Sequence, residues 1–562
     1  MRQNRKSTVY GGISFLIAAL FCIQAGAAVV NTSYDETINM ETYSNDMFTT
    51  GTLLDNIQVT FSDLDESRPA IDMNGQGGVA ITYEQVISFV EQGVSLDYST
   101  DGSSFQPVAA INPDGLLWSY PEICYNPSQN IFMWAFTDIF DPNPSFAFLE
   151  ADLTDPDGDG VVLENGGIWT WTGGEGDLEN AIHPLGDFFV HLSVSDYSAA
   201  GIFQGLALKY NIYDSEAGVA WPSDVLEDGV AGSYYDGSSI TDTTPSYEID
   251  NCLGSPHMYM VMQVNEGQTS KIVYKATYAS EDPTLITNGG GPGGMDKYSD
   301  IEVWPWQGFV EDAEETQNVY VADPEVAASG NNVVVVYMRR DPTFGDWMIR
   351  CAYNAGNIPD EPGTPSDVYE WQYSDITSGG GDEELYPSVT MSGNLVKVAY
   401  VSNGDLYLVE SEDAGATWGA PEKVNTVDGS VVAQPGCVRI ADNGAGMVWV
   451  DNRNGNQDIY YTELPAPVVV VESVSGGFGV SATISNIGNA PASDIAWTIN
   501  FDGTVFVGAS AEGTISSLGP GDSESISPGF VLGLGGATLR ITAGGGSFSQ
   551  DVTVLGPFVL GL

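Results

Sequence analysis

Ser411-Glu412-Asp413-Ala414-Gly415-Ala416-Thr417-Trp418 follows the alternating run Gly404-Asp405-Leu406-Tyr407-Leu408-Val409-Glu410, which predicts a short strand. Every residue type in the octet suits a hairpin turn. Ser411 and Asp413 can accept hydrogen bonds from turn N–H groups, and Gly415 can take a positive φ without a Cβ penalty. Trp418 can fold back over the hairpin as a plug. On this reading Asp413 is a turn residue and not a catalyst.

Outward from the octet, one pattern recurs at an irregular period of roughly 50 to 70 residues. A Pro leads into a short apolar strand, an Asn/Gly turn follows, then a strongly apolar strand, a Gly/Asp turn and an alternating strand. The clearest copies begin at Pro387, Pro324 and Pro435, and weaker ones at Pro69, Pro121, Pro184 and Pro256. Such modules suit a radial arrangement, because a single four-stranded sheet cannot bury both of its faces. The expected fold is all-β: a seven-bladed propeller, or six-bladed if one weak copy is an insertion.

The octet resembles the Asp-box (Ser-x-Asp-x-Gly-x-Thr-Trp) of sialidases and of many secreted propellers without catalytic activity. Ser99-Thr100-Asp101-Gly102-Ser103-Ser104-Phe105 is a degenerate copy, one residue short, with Phe where Trp is expected. Trp449 to Tyr460, with a tight turn at Asn454-Gly455, is similar to a repeat of secreted propellers. The resemblance covers residues 65–464 patchily and implies a sialidase-like propeller there, preceded by a lead-in segment at 28–64.

Residues 1–27 read as a secretory signal peptide. Arg2, Arg5 and Lys6 precede an apolar run from Ile13 to Ile23 and the small residues Ala25-Gly26-Ala27. No later stretch reaches the ~18 apolar residues of a transmembrane helix, so the expectation is a secreted or cell-surface protein. Lys and Arg total 16 against 76 Asp and Glu, a net charge of −60. Nucleic acid is thereby excluded as a partner, since phosphate contacts need a basic face. Cys124, Cys252, Cys351 and Cys437 could form two disulfides in any of three pairings, or be small buried residues.

After Pro465-Ala466-Pro467 the pattern stops and short Gly-rich strands take over. Turns are expected at Asp502-Gly503 and Gly519-Pro520-Gly521, and residues 465–562 fit a small β-sandwich. The run Ser485-Asn486-Ile487-Gly488-Asn489 resembles the Asn-x-Gly signature of CARDB-type Ig-like modules. That resemblance implies a module that spaces, anchors or binds, through which the protein could associate with a cell surface.

The sialidase family would require an arginine triad for a substrate carboxylate, a Tyr/Glu nucleophile pair and an Asp acid/base. Arg68, Arg350 and Arg439 come from different modules and are the candidate triad, with Tyr83 and Glu84 as the pair. Against this, Arg68-Pro69 lacks the middle residue of the family's Arg-Ile-Pro motif, and Glu84 can equally point outward from an alternating strand. Arg339-Arg340 read as a solvated strand end and Arg453 as a turn residue. Asp155, Asp157 and Asp159 match the opening of a calcium loop, but Gly166 stands where the closing Glu belongs, so an acidic solvated loop is the alternative. No organic cofactor site is visible. Trp304 and Trp306, and Trp169 with Trp171, are candidate sugar-stacking platforms or inter-blade packing residues.

The preferred reading is an exported acidic binding or adhesion protein for glycan or protein, not an enzyme. A sialidase-like hydrolase using the central pocket is the alternative. A structural surface-layer component is a third reading, favoured if the C-terminal module carries a large exposed apolar patch.

Overall fold

The computed structural model describes residues 56–562 except 75–76, 89, 112–116, 128–129, 139–143, 151–168, 171–176, 186–187, 197–205, 215–218, 222–245, 253–254, 267–268, 279–307, 313–320, 330–331, 342, 355–370 and 545. Strands are the only regular elements among the described residues. Seven four-stranded antiparallel sheets follow one another along the chain. Sheet 1 runs from Asp65–Met73 to Gln106–Ile111, sheet 2 from Trp118–Asn126 to Trp169–Thr170, and sheet 3 from Asp177–Leu185 to Val219–Trp221. Sheet 4 runs from Ser246–Cys252 to Gly308–Asp312, sheet 5 from Val321–Ser329 to Gln372–Asp375, and sheet 6 from Glu384–Ser392 to Glu422–Lys423. Sheet 7 holds Val438–Ile440, Gly446–Asp451 and Asp458–Glu463, and its outer strand is Ile57–Gln58 from the segment before sheet 1.

Packing makes these sheets a ring. Val333 to Tyr337, in the second strand of sheet 5, is buried throughout. Val333, Val335 and Tyr337 meet Tyr259, Val261 and Ile272 of sheet 4, while Val334 and Val336 meet Val389, Val396 and Val398 of sheet 6. A strand covered on both faces needs a continuous apolar run instead of alternation. Further apolar clusters join sheets 1 and 2, sheets 2 and 3, and sheets 6, 7 and 1. The first strand of each sheet adjoins that of the next, and sheet 7 returns to sheet 1. This is a β-propeller arrangement with the first strands innermost.

Closure is sealed by pairing and by one arginine. Ile57 pairs with Tyr461 and Gln58 with Tyr460. Arg453, beyond its expected place in a turn, forks onto buried Asp451 (Nε to Oδ1 2.9 Å, Nη2 to Oδ2 2.6 Å) and lies 4.0 Å over the Tyr460 ring. It also donates to Asn56 Oδ1 at 3.3 Å, tying the first described residue to the last sheet.

The C-terminal part forms a three-stranded and a six-stranded sheet around one apolar core that includes Ile484, Ile526, Ile499, Leu539 and Val554. Gly519-Pro520-Gly521 is a turn, with Asp522 N donating to Gly519 O at 2.9 Å. Asp502-Gly503 is not: it lies within the strand Ala492–Val507, and the pairing with Leu532–Ala543 slips just after Gly503. The Asp-Gly pair marks an irregularity where a backbone passes close by, since a Cβ on Gly503 would come 2.6 Å from Ala537 Cα.

Candidate functional site

In a ring of sheets, residues of non-neighbouring sheets meet only where the inner strands converge. Arg439 of sheet 7 makes such contacts. Its Nη2 lies 3.6 Å from Glu122 Oε1 of sheet 2, and its Nη1 donates to Glu325 Oε1 of sheet 5. These three side chains therefore mark the axis.

A repeated backbone irregularity positions them. Arg68, Tyr120, Asp323 and Tyr386 each precede a Pro and each has a positive φ, between 44° and 54°. At every one the pairing to the second strand slips by a residue, between Ser67 and Ala70, Ser119 and Glu122, Ala322 and Glu325, and Leu385 and Ser388. A bulge of this kind re-aims side chains, and the left-handed conformation costs a non-glycine residue about 1–2 kcal/mol. Its recurrence in four sheets ties that strain to the inner rim, where functional groups concentrate.

Arg68 occupies this rim. Its guanidinium lies 4.5 Å over the Tyr120 ring of sheet 2, its Nε is 3.7 Å from Glu84 Oε1, and its stem faces Gly436 in the turn just before sheet 7. Arg68, Glu122 and Arg439 keep 27%, 23% and 20% of their side chains exposed.

Crowding by protein atoms is the main influence on Glu122 and pushes its carboxyl up to about 7, with Arg439 pulling the other way and Glu325 and Asp442 adding to the rise. Burial also raises Asp72 and Asp442, and Asp442 raises Asp72 further while His183 favours both charges. Asp72 Oδ2 accepts the Tyr125 N–H at 2.5 Å. Cys124 feels Asp72, Asp442 and Glu122, which with burial hold it as a neutral thiol. Among the described residues, both arginines of the inner strands, Arg68 and Arg439, are engaged by carboxylates of the chain.

The candidate triad does not assemble. Arg68 and Arg439 both act on Glu122. Arg350 lies in the third strand of sheet 5, 3.2 Å from Asp375 and 5.2 Å over the Tyr373 ring, on the outer part of its sheet. Tyr83 and Glu84 do not form a pair, because adjacent strand residues face opposite ways. Tyr83 Oη donates to Asp97 Oδ1 at 3.3 Å on the side of sheet 7. Glu84 is buried, correcting the outward alternative, and accepts from Ser67 Oγ at 2.8 Å, Tyr120 N at 3.0 Å and Ser119 Oγ. It cross-braces sheets 1 and 2.

The octet Ser411 to Trp418 is a structural latch. Ser411 Oγ donates to Asp413 Oδ1 at 2.8 Å and accepts the Gly415 N–H at 2.9 Å, and Asp413 accepts from Thr417 N and Oγ1 at 2.7 and 2.6 Å. Those bonds lower the Asp413 carboxyl. Trp418 reaches across to sheet 5, where its Nε1–H donates to Ser374 Oγ at 2.9 Å. Gly415, at φ +90°, sits where a Cβ would come 3.0 Å from Cys351 Sγ. The degenerate copy does likewise: Asp101 accepts from Ser103 N at 2.9 Å, and Phe105 packs edge-on 5.3 Å from Tyr461 of sheet 7. We expect Asp413→Ala to lower stability by about 1–2 kcal/mol in thermal unfolding and to leave ligand binding unchanged. Weakened binding would show that the octet reaches the site.

Cys124, Cys351 and Cys437 are free buried thiols. Asp155, Asp157, Asp159, Trp171, Trp304 and Trp306 lie outside the described residues, and Trp169 only opens the strand Trp169–Thr170. Arg340 lies 5.0 Å over the Trp347 ring, as a strand-end cation can. Glu122, Glu325, Asp72, Asp442 and His183 were missed as site residues in the sequence. One signal was available: Pro121-Glu122 and Pro324-Glu325 place an acid directly after the module-opening Pro in two copies.

No family model and no curated protein matches the chain. Solved structures similar to it include the polysaccharide lyase Uly1, 11% identical, covering 73% of this chain and 98% of that one at a TM-score of 0.43. An oligogalacturonate lyase from Vibrio parahaemolyticus is 11% identical over 73% of this chain and 93% of its own, at 0.39. The α-L-arabinofuranosidase Arb93A from Fusarium graminearum is 10% identical over 74% and 98%, at 0.36. At TM-scores below 0.5 these likenesses carry no inference about substrate or reaction.

Proposed function

We propose that the chain is an exported glycan-binding protein. On this reading the seven sheets are the blades of one seven-bladed propeller. Its axial end, at Arg68, Tyr120, Glu122, Glu325 and Arg439, takes an uncharged polyhydroxylated ligand. The C-terminal sheets act as an Ig-like module that spaces or anchors the propeller.

The observation that carries this reading is that both axial arginines already have carboxylate partners in the chain, Glu84 for Arg68 and Glu122 with Glu325 for Arg439. A sugar carboxylate would have to displace those partners, whereas hydroxyls can bond to the carboxylates already in place at little electrostatic cost. The Tyr120 ring, already carrying Arg68, adds an aromatic surface at the rim.

A glycan array with neutral and carboxylated sugars, run beside fluorogenic glycosides, tests it. We expect neutral glycans to bind, Glu122→Gln to weaken binding roughly tenfold, about the worth of one charge-assisted hydrogen bond, and no fluorophore to be released. Preference for sialylated or uronic sugars would sink the reading. The hydrolase alternative draws on one observation, a carboxyl near 7 beside a second carboxylate. Turnover abolished by Glu122→Gln would establish it.

A further inference from the structure

The outer face of the six-stranded C-terminal sheet is polar along most of its length, as Thr538, Arg540, Asp551 and Thr553 show. At one end it changes character. Phe478 pairs directly with Phe558, Phe558 with Leu555, and Leu555 with Leu534. Directly opposed residues share a face, so the four form one row across four strands. All are exposed, Phe478 by 73% and Leu534 by 62%. Phe530, 6.1 Å from Phe478, extends the row on one side, and Phe506 stands at the adjoining end of Ala492–Val507. Beneath them Val554 and Val559 face the core in the ordinary way.

Two properties say what covers this face. First, the segments that build it, 473–480, 503–511, 525–537 and 552–562, contain no Asp, Glu, Lys, Arg or His, in a chain of net charge −60. Two copies repel over most of their surfaces, and here they can meet with no like charges opposed. Second, the exposed rings and leucines present roughly 700 Å², near the ~800 Å² per partner of a standard protein interface and above the largest patch of a typical monomer.

We propose that this face joins two copies of the chain in a two-fold symmetric dimer, each row lying against its symmetry mate. The acidic remainder of each copy sets the salt dependence. Screening of the mutual repulsion tightens the dimer as ionic strength rises.

Sedimentation equilibrium of the purified protein at low and high NaCl tests this. The expected result is a monomer–dimer equilibrium that shifts toward dimer with salt. Leu534→Glu combined with Phe558→Glu should raise Kd by roughly 100-fold, and Phe344→Glu, at an exposed residue of sheet 5, should leave it unchanged. Circular dichroism checks folding, and Phe478→Ser serves if the double variant does not fold. A wild-type protein that stays monomeric at high salt overturns the proposal. So does a dimer indifferent to these substitutions, or a wild-type monomer that binds phosphatidylcholine vesicles through this face without self-associating.

Discussion

Arg439→Gln is expected to destabilise the protein by about 2–3 kcal/mol at pH 8, and by much less at pH 5. The arginine is the cation between Glu122 and Glu325, so its loss leaves two crowded carboxylates opposed across the axis. Removing one partner of a buried pair typically costs about 3–5 kcal/mol, and the partial exposure of these groups places the effect below that range. The pH dependence follows from Glu122, whose ordinary value of 4.5 is raised to about 7. Between those values the folded state binds more protons than the unfolded state, so the penalty is absent below 4.5 and fully present above 7. Without Arg439 the carboxyl titrates higher still, and protonation at pH 5 relieves most of the loss. Thermal unfolding at both pH values checks this, and an equal loss at each would remove Glu122 from the account.

The wild type should follow the same direction. Burial raises Glu66 and Glu384 to about 7 and Asp97 to about 6. Unfolding temperature should therefore climb as pH falls from 8 toward 5. Asp451, lowered by its Arg453 fork against the opposing effect of burial, contributes stability that is lost only below its unfolded value of 3.8, so the trend should reverse under about pH 4. A monotonic profile across both windows would count against these assignments.

Asn486→Ala is expected to cost the C-terminal module about 3 kcal/mol or more. The buried Asn486 amide donates to Ala490 O at 2.8 Å and Leu518 O at 3.0 Å, and its Oδ1 accepts from Val468 N and Gly488 N, both at 3.0 Å. Truncation strands four backbone groups at once, each costing about 1 kcal/mol or more when left unmet. Gly488 is tied to the same knot, because a Cβ there would sit 2.3 Å from Ala466 O. Native-state hydrogen exchange at the amides of Ser481–Asn486 and Leu532–Ala543 reads the module alone. A change below about 1 kcal/mol would mean that water replaces the lost bonds.

Much of the architecture was legible because its signals are local. Pro387 announced a short strand, Val396-Lys397-Val398-Ala399-Tyr400 a strongly apolar one, and Ser411 to Trp418 a turn. Just after Pro465, Ala466 N donates to Asn489 Oδ1 and Val468 N to Asn486 Oδ1. Asp502-Gly503 misled, since an Asp-Gly pair serves a strand irregularity as readily as a hairpin.

The axial site obeyed no local rule. Glu122, Glu325 and Arg439 are separated by 114 residues or more and come together because ring closure points the inner strands of sheets 2, 5 and 7 at one line. Glu84 turned inward because sheet 2 offered Ser119 and Tyr120 to receive it, and Arg350 was held outward by Asp375. Periodicity and turn chemistry act within a strand or hairpin, so the residues of Ser411 to Trp418 could specify a latch between sheets 5 and 6. Which charges face one another across the axis depends on contacts that exist only once the ring has closed.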